Sequence, residues 1–243
     1  MKILGIIPAR YSSTRFPGKP LADILGKTMI QRVYERAKLA KNLCDVVVAT
    51  DDARIFECVH GFGGQAVMTD SSLPNGTARC EQAARLSGCE ADAVINIQGD
   101  EPLLDPVMID EVAELLRDNY CVTLCREFRE GEDFQNPNAV KVVLAHNGNA
   151  LYFSRSVIPY KRNVSALPVY QHIGIYGYST NFLKKYVSLP NTPLSDAESL
   201  EQLKILEHGF KIRVKVTSSK CESVGVDTPE DLQRVREILN AEV

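Results

Sequence analysis

A short basic segment follows the first apolar run of the chain, which covers residues 3–8. Arg10, Arg15 and Lys19 lie in this segment, and Pro8, Pro17, Gly18 and Pro20 stiffen it. Arg and Lys side chains suit phosphate oxygens when they are held on a fixed loop near the N-terminus of a helix. The segment is therefore predicted to bind phosphate.

Several carboxylates follow other predicted strands. Asp51 and Asp52 follow one strand, Asp100 follows a second, and Asp227 follows a third near the C-terminus. Ligands of open α/β sheets bind beyond the carboxyl ends of the strands, so these groups are expected to share one edge with the basic segment. Carboxylates repel phosphates unless a divalent cation lies between them. The combination predicts a magnesium-dependent nucleotide site; the alternative is a set of solvated loop charges, with Asp227 stabilised by a helix N-terminus.

The first half of the chain alternates apolar runs with amphipathic segments. This alternation predicts a parallel sheet with right-handed crossovers and helices on both faces. The predicted strands cover 3–8, 45–50, 65–68 and 93–97. The predicted helices cover 28–40, a segment capped by Asp52 that ends in the region 61–64, 77–86, and the segment that begins at Asp105-Pro106.

The pattern changes after Tyr120. Runs at 140–144 and 150–154 flank Asn147-Gly148, which predicts a β-hairpin. A strand at 172–178, a helix at 196–208, a strand at 211–216 and a C-terminal helix capped by Thr228 are predicted to follow. We expect a single domain over 1–243, with an antiparallel lobe at about 120–190 that grows on the parallel sheet.

Composition excludes several broad classes of function. The chain has 243 residues, 44% of them hydrophobic and 24% charged, and a net charge of −3, which is typical of a soluble globular protein. It gives no support for nucleic-acid or membrane-surface binding. The apolar N-terminal run is too short for a signal peptide or a bilayer span. Seven scattered cysteines without a CxxC pair predict reduced thiols in a cytoplasmic protein, and a zinc site is not expected.

Common nucleotide and nucleophile motifs are missing from the sequence. Neither G-x-G-x-x-G nor G-x-x-x-x-G-K-[ST] occurs, which argues against a dinucleotide oxidoreductase and a P-loop kinase. Ser12 and Ser13 lack the G-x-S-x-G elbow of serine hydrolases. The expected chemistry therefore uses charged groups and a metal ion rather than a covalent nucleophile.

A set of longer motifs resembles one family. The segments IIPARYSSTRFPGKPL, VVVATDD, NGTAR, NIQGDEP, ALYFSR, HIGIYGY, LEQLKILEHG and GVDTPEDL are similar, nearly end to end, to the 3-deoxy-manno-octulosonate (KDO) cytidylyltransferases, or CMP-KDO synthetases. The resemblance implies a Rossmann-like nucleotidyltransferase fold and a homodimer. It also implies a Mg²⁺-dependent reaction of CTP with KDO that gives CMP-KDO and pyrophosphate for lipopolysaccharide or capsule synthesis. One position departs from the family pattern, because Ala78 stands where an acidic residue is usual.

The resemblance also implies roles for individual residues. Asp100 and Asp227 match the metal-binding aspartates, and Gln98 matches a residue near the reacting hydroxyl. The other matching positions fall into three groups: Ala9, Arg10, Ser13, Arg15 and Lys19 for the CTP triphosphate; Asn75, Gly76, Thr77 and Arg79 for the cytosine side; and Arg155, His172, Tyr176, Glu201 and Gln202 for the sugar acid.

The sugar-acid residues, the acceptor and the class of function each have an alternative interpretation. Arg155 is also compatible with a rim ion pair and His172 with a hydrogen-bonded strand residue. Glu201 and Gln202 are compatible with the polar face of a helix. The acceptor is KDO or a related acid such as 8-amino-KDO or sialic acid. A non-catalytic nucleotide-binding module on the same fold is the rival from a different class.

Overall fold

The computed structural model describes residues 1–12, 16–163, 166–221 and 224–241. A short 3-10 turn at Lys19–Leu21 follows the first strand. In chain order the strands and helices are β1 (Ile3–Ala9), β2 (Asp23–Ile24), β3 (Lys27–Thr28), α1 (Met29–Ala37), β4 (Asp45–Thr50), α2 (Ala53–Gly61), β5 (Ala66–Met68), α3 (Gly76–Leu86), β6 (Ala93–Asn96), α4 (Pro106–Leu115), β7 (Cys121–Glu127), β8 (Lys141–Leu144), β9 (Ala150–Ser154), β10 (Tyr170–Ser179), α5 (Thr180–Ser188), α6 (Pro193–Glu198), α7 (Leu203–Glu207), β11 (Arg213–Val216) and α8 (Pro229–Ala241).

One mixed sheet forms the centre of the protein. Its strand order is β11-β7-β10-β6-β1-β4-β5, and β6, β1, β4 and β5 are parallel. Strand β10 is antiparallel to both β6 and β7, and the hairpin of β8 and β9 pairs with β10. The predicted α/β class with a mainly parallel central sheet is confirmed. The antiparallel strands extend this same sheet, and the division into a domain and a lobe stays a prediction.

Strand β1 is apolar throughout because both of its faces are buried. Ile3 and Ile7 pack into one core cluster with α1, α2 and α4, whereas Leu4 and Ile6 pack into a second cluster on the other face. This two-sided burial is typical of parallel strands covered by helices. A third, smaller cluster joins α8 to the segment around β2 and includes Val226, which fixes the approach to Asp227.

The predicted helix caps are confirmed. Asp52 accepts a hydrogen bond from the backbone N–H of Arg54, and Asp105 accepts one from Val107 with Pro106 in the first turn. At the start of α8, Thr228 and Asp231 cap one another, and the Asp231 carboxylate also accepts the Asp227 N–H at 3.0 Å. Asp227 is thereby held at the N-terminal end of α8.

Two helical expectations differ from the structure. The single helix predicted over 196–208 is wrong, because α6 and α7 are separate and Ser199 between them has φ of 50°. Helix α5 was not predicted; Ser179 caps it, and Phe182 and Tyr186 bury its apolar face. The hairpin at Asn147-Gly148 is confirmed, with Gly148 at φ 76°. Among the described helices, none has both the length and the apolar composition that crossing a bilayer requires.

Candidate active site

A cavity of about 440 Å³ lies beyond the carboxyl ends of β1 and β6, and we call it the loop cavity. Most of the residues predicted for the triphosphate and the metal meet there. Its lining consists of Pro8, Ala9, Arg10, Ser12, Lys19, Pro20, Gln98, Gly99, Asp100 and Asp227. Ser13 and Arg15, predicted beside them, lie outside the described residues. Residues far apart in sequence are thus brought to one edge of the sheet, as the parallel topology predicts.

Lys19 forms ion pairs with both carboxylates of this cavity. Its Nζ lies 2.8 Å from Asp100 Oδ2 and 3.2 Å from Asp227 Oδ1. The Lys19 side chain is only 13% exposed, whereas the Asp100 and Asp227 side chains are 34% and 47% exposed. A backbone bond from Val226 N–H to the Asp100 carbonyl, 2.8 Å long, keeps the two carboxylates side by side.

Gly18 fixes the backbone that presents Lys19. It adopts φ of 73°, a conformation that favours glycine, and its N–H donates to the Tyr11 carbonyl at 2.9 Å. A Cβ at this position would lie 3.1 Å from the Tyr11 ring. The 3-10 turn Lys19–Leu21 begins immediately afterwards, with Pro20 in its first turn. The stiff loop predicted from the sequence is therefore held by Gly18, by Pro20 and by the close approach of Gly18 to Tyr11.

Arg10 joins the loop cavity to the segment before α3. Its guanidinium donates a hydrogen bond to the carbonyl oxygen of Leu73. Asn75 caps α3 by accepting the Ala78 N–H at 2.8 Å, and Gly76 and Thr77 form the first turn. The N-terminus of α3, a favourable position for negative charge, thus lies close to a second cavity that Gly76 and Thr77 line.

This second cavity, of about 200 Å³, opens beside the first, and we call it the tyrosine cavity. Pro8 and Gln98 line both cavities. Gln98 is held at the junction because its Nε2 donates to the Gly174 carbonyl at 2.7 Å. The remaining lining residues are Gly76, Thr77, Asn96, Tyr176, Tyr178, Tyr186, Glu201 and Gln202.

Three stacked rings form a wall of the tyrosine cavity. The Tyr176 and Tyr178 rings lie 5.8 Å apart and nearly parallel, and Tyr178 stacks on Tyr186 at 5.6 Å. Burial raises the pKa of all three hydroxyls, so they remain neutral hydrogen-bonding groups at physiological pH.

Two buried polar atoms of this cavity lack a partner. Asn96 Oδ1 and the Tyr176 hydroxyl make no hydrogen bond within the described part of the chain. Both residues are more than nine-tenths buried, and an unsatisfied buried polar group is costly. They are suited to accept and donate hydrogen bonds to a polar ligand. Sequence reasoning missed Asn96, although a polar residue in the apolar run 93–97 was a usable signal.

The break between α6 and α7 places Glu201 and Gln202 at the tyrosine cavity. Leu200 and Leu203 on either side of them are buried, which orients the two polar residues toward the cavity. Thr77 Oγ1 donates to Glu201 Oε2 at 3.4 Å. The protein that surrounds the Glu201 carboxyl raises its pKa by desolvation, and the nearby Lys204 opposes this effect. The carboxyl opens into the cavity and is available to a ligand.

Arg79 lies behind the site rather than in it. Its side chain is 0% exposed, its Nη2 lies 2.9 Å from Asp51 Oδ2, and its Nη1 donates to Thr69. Asp52 caps α2 and pairs with Arg54. Arg79 thereby anchors α3 to the ends of β4 and β5, and its assignment to the cytosine side stays a prediction.

Arg155 and His172 line neither cavity. The Arg155 guanidinium donates to the carbonyls of Glu198, Pro137 and Ser199 at 2.7, 3.0 and 3.3 Å. His172 Nε2 lies 3.1 Å from Thr123 Oγ1, and burial lowers the pKa of the imidazole to about 3. His172 matches its alternative of a hydrogen-bonded strand residue, whereas the Arg155 guanidinium bonds to backbone carbonyls rather than forming the alternative rim ion pair. Their assignment to the sugar acid stays a prediction.

Comparison with known proteins identifies the family. A family model described as Cytidylyltransferase matches residues 4–213. The chain belongs to the cytidylyltransferase family. The protein is an enzyme of the nucleotidyltransferase class, and the relatives described next confirm the resemblance to KDO cytidylyltransferases.

Relatives of this cytidylyltransferase are similar over nearly their full length. The 3-deoxy-manno-octulosonate cytidylyltransferase of Parabacteroides distasonis is 50% identical over 246 residues, and the 8-amino-3,8-dideoxy-manno-octulosonate cytidylyltransferase of Shewanella halifaxensis is 49% identical over 238; each match covers 96% of both chains. A solved CMP:2-keto-3-deoxy-manno-octonic acid synthetase complexed with CTP is 42% identical, with a TM-score of 0.93 and full coverage of both chains.

Proposed function

We propose that this cytidylyltransferase transfers CMP from CTP to the anomeric C2 hydroxyl of KDO, giving CMP-KDO and pyrophosphate. The observation that carries the proposal is the junction at Gln98, where a cavity of cations and carboxylates meets a cavity lined by tyrosines, amide side chains and the Glu201 carboxyl. One cavity suits a triphosphate and the other a polyhydroxylated sugar acid. The Parabacteroides distasonis relative and the CTP-bound synthetase support both substrates.

CTP is proposed to place its triphosphate in the loop cavity. Lys19 and Arg10 supply the positive charge there, and the Ala9 backbone lies beside them. Ser13 and Arg15 join this group on the basis of the resemblance. The cytosine side is assigned to Asn75, Gly76 and Thr77 at the N-terminus of α3, which Arg79 holds in place from behind.

Asp100 and Asp227 are the proposed ligands of Mg²⁺. No cluster of three or more His, Cys, Asp or Glu side chains suited to a metal occurs among the described residues, so the protein itself offers two carboxylates. Mg²⁺ commonly binds through one or two carboxylates together with substrate phosphates, and this donor set fits that pattern. When bound, the ion supplies positive charge to the α-phosphate and lowers the pKa of the attacking hydroxyl.

KDO is proposed to occupy the tyrosine cavity. Asn96 Oδ1, the Tyr176 hydroxyl and the side chains of Gln98, Glu201 and Gln202 offer donors and acceptors for its hydroxyl groups. The resemblance assigns Arg155 and His172 to the same sugar. For Arg155, that contact requires the guanidinium to leave its three carbonyl partners.

The proposed reaction is an in-line displacement. The C2 hydroxyl of KDO, oriented near Gln98, loses its proton to solvent and attacks the α-phosphorus of CTP, and pyrophosphate leaves on the opposite side. Lys19 and Arg10 offset the charge that develops on pyrophosphate. Positioning the two substrates in adjacent cavities supplies much of the rate enhancement, because the attack becomes effectively unimolecular.

A related acceptor, 8-amino-KDO, is the second candidate. The Glu201 carboxylate opens into the tyrosine cavity, where an ammonium group on the sugar would offset its desolvation. The Shewanella halifaxensis relative carries the name of this activity. Sialic acid, a related sugar acid, is the third candidate acceptor for the tyrosine cavity.

The resemblance also assigns a homodimer, a cytoplasmic location and a role in lipopolysaccharide or capsule synthesis. In support of the dimer, β9 pairs with β8 alone among the described strands, and Leu151 on it is 61% exposed. Tyr160, in the segment that follows, is 88% exposed. In the described ranges, the far edge of β9 bonds to the segment before β11 only at its start, through the Ala150 N–H and the Ile212 carbonyl, so its exposed apolar side chains suit contact with a second copy across a two-fold axis.

Pyrophosphate release from CTP tests the proposed function. We expect Mg²⁺-dependent release with KDO that exceeds the release with 8-amino-KDO and with sialic acid in kcat/KM. A higher kcat/KM with 8-amino-KDO would transfer the proposal to that acceptor. CTP binding without pyrophosphate release, for all three acids, would support the non-catalytic alternative and overturn the proposal.

A further inference from the structure

Two cysteine thiols lie next to each other at the N-terminal ends of the parallel strands, opposite to the active site at the carboxyl ends. The Sγ atoms of Cys44 and Cys89 are 3.8 Å apart. Cys44 immediately precedes β4, and Cys89 lies in the loop between α3 and β6. The Cys44 N–H donates to the Ile3 carbonyl, and the Asp92 N–H donates to the Lys2 carbonyl, so both segments are fixed to the start of β1.

We propose that Cys44 and Cys89 form a reversible intrachain disulfide, and that this pair is a redox-modification site of the protein. Closing the bond shortens the Sγ–Sγ distance from 3.8 Å to about 2.05 Å. The two cysteines flank β1 from either side in the strand order β6-β1-β4. The disulfide would therefore cross the N-terminal end of β1 and tie the loop after α3 to β4.

The exchange reaction balances with a low-molecular-weight disulfide such as oxidised glutathione. The Cys44 thiolate, which is exposed, attacks one sulfur of that disulfide and displaces one thiolate. The Cys89 thiolate then attacks the Cys44 sulfur and displaces the second. Two protein thiols lose two electrons and two protons, and the small disulfide is reduced to two thiols. Reduced glutathione reverses both steps.

Both thiols are accessible to a small molecule such as glutathione. Cys44 is exposed, and Cys89 lines a cavity of about 470 Å³ between the C-terminal end of α3 and the start of α5. The cavity is also lined by Arg85 and Lys184 and by Glu81 and Glu90, so its charged groups are of both signs, as are those of glutathione. None of the residues assigned to CTP, the metal or KDO lines this cavity.

The other described cysteines lack this combination of access and a partner thiol. Cys80, Cys121 and Cys125 are buried, so a disulfide in solution does not reach their thiols. Cys58 is half-buried and contacts the Thr28 hydroxyl. Cys221 is exposed, and its thiol faces Asp105 rather than another cysteine. Cys221 therefore serves as the matched control for an exposed thiol without a thiol partner.

Equilibration with oxidised and reduced glutathione, followed by quenching and peptide mass spectrometry, tests the proposal. We expect a linked pair of peptides containing Cys44 and Cys89, and a loss of two titratable thiols from the total of seven. The linked form should have a Tm higher by roughly 5 °C, because the bond closes a long loop in the unfolded chain. Its cytidylyltransferase activity should equal that of the reduced form, because β1 separates the pair from the site by roughly 20 Å.

Serine variants decide between this proposal and simple surface modification. Cys89→Ser should accumulate a stable glutathione adduct on Cys44, whereas the wild type resolves that adduct into the linked peptides. Cys221→Ser should keep the Cys44–Cys89 link. An equally stable glutathione adduct on Cys44 in the wild type and in Cys89→Ser, with no linked peptides, would overturn the proposal.

Discussion

The Lys19 ammonium lies 2.8 Å from Asp100 Oδ2, so the cation proposed for CTP and the carboxylate proposed for Mg²⁺ neutralise one another without substrate. Asp227 shares the same ammonium at 3.2 Å. This arrangement keeps two neighbouring carboxylates from repelling each other in a partly buried site. We propose that binding of the nucleotide with its metal exchanges these partners, so that Lys19 moves to phosphate oxygens and the two carboxylates become available to the ion.

Lys19→Met removes this shared cation. We expect KM for CTP to rise by roughly 10- to 100-fold, because a charge-assisted contact to the triphosphate is lost. Mn²⁺ should bind more tightly without nucleotide, because the two carboxylates lose their competing partner. Steady-state kinetics and an EPR titration with Mn²⁺ measure the two effects. Lys27→Met, which removes a surface pair with Glu35, is the control and should change neither value.

Asp100→Asn separates catalysis from nucleotide binding. We expect kcat to fall by roughly 100-fold or more, since a neutral amide is a weaker Mg²⁺ ligand at the reacting phosphate. The Kd for CTP, measured by calorimetry, should change much less because Lys19 and Arg10 remain. Asp118→Asn, at an exposed position after α4, is the control. Near-normal turnover of Asp100→Asn at saturating Mg²⁺ would contradict the assignment.

Arg79→Leu tests the anchor behind α3. It leaves Asp51, a largely buried carboxylate, without its guanidinium partner. We expect the free energy of unfolding to fall by about 3 kcal/mol, which is typical when one partner of a buried ion pair is removed. Urea denaturation measures the change. Arg85→Leu on the same helix, whose side chain is 59% exposed, should stay within about 0.5 kcal/mol of the wild type; equal effects of the two substitutions would exclude the anchoring role.

We expect the buried imidazole of His172 to make the free energy of unfolding depend on pH. Its pKa is lowered to about 3 in the folded protein by burial, from an ordinary value of 6.5. Between these two pKa values the His172 imidazole is protonated in the unfolded chain and neutral in the folded chain. The free energy of unfolding therefore falls as the pH decreases from about 6.5 toward 3. Between pH 7.5 and pH 5 the loss amounts to about 2 kcal/mol.

Comparing variants isolates this contribution. His172→Gln should reduce the loss of unfolding free energy between those two pH values, as measured by urea denaturation at each pH. His146→Gln, at an exposed position, should leave the loss unchanged. An identical pH dependence for the wild type and His172→Gln would show that His172 takes up its proton equally in both states.

Much of the fold follows from local sequence signals. Strand β1 is apolar at nearly every position because it is covered on both faces, and this continuous pattern was readable. Asp52 and Asp105 are cap residues followed by apolar periodicity, so both helix starts were readable as well. Ser179 with Phe182 and Tyr186 is a similar signal for α5, a cap residue followed by apolar side chains at helical spacing.

The break before α7 has no comparable local signal. The segment around Ser199 contains neither Gly nor Pro, yet Ser199 adopts φ of 50°. Burial of Leu200 and Leu203 outweighs the local cost of that conformation, and such tertiary packing is invisible in a single sequence. The same limit applies to Arg79 and Arg155, because residue type alone does not distinguish a ligand-binding guanidinium from one that bonds to carboxylates and carbonyls of the protein.

The most direct test of the central claim follows one oxygen atom through the reaction. KDO labelled with ¹⁸O at the C2 hydroxyl is incubated with CTP, Mg²⁺ and the enzyme, and the products are observed by ³¹P NMR. We predict an isotope-shifted CMP-KDO phosphorus signal, with the label in the bond between phosphorus and the sugar, and unlabelled pyrophosphate. A CMP product without the label, or no CMP ester of KDO at all, would contradict attack by the KDO hydroxyl on the α-phosphorus.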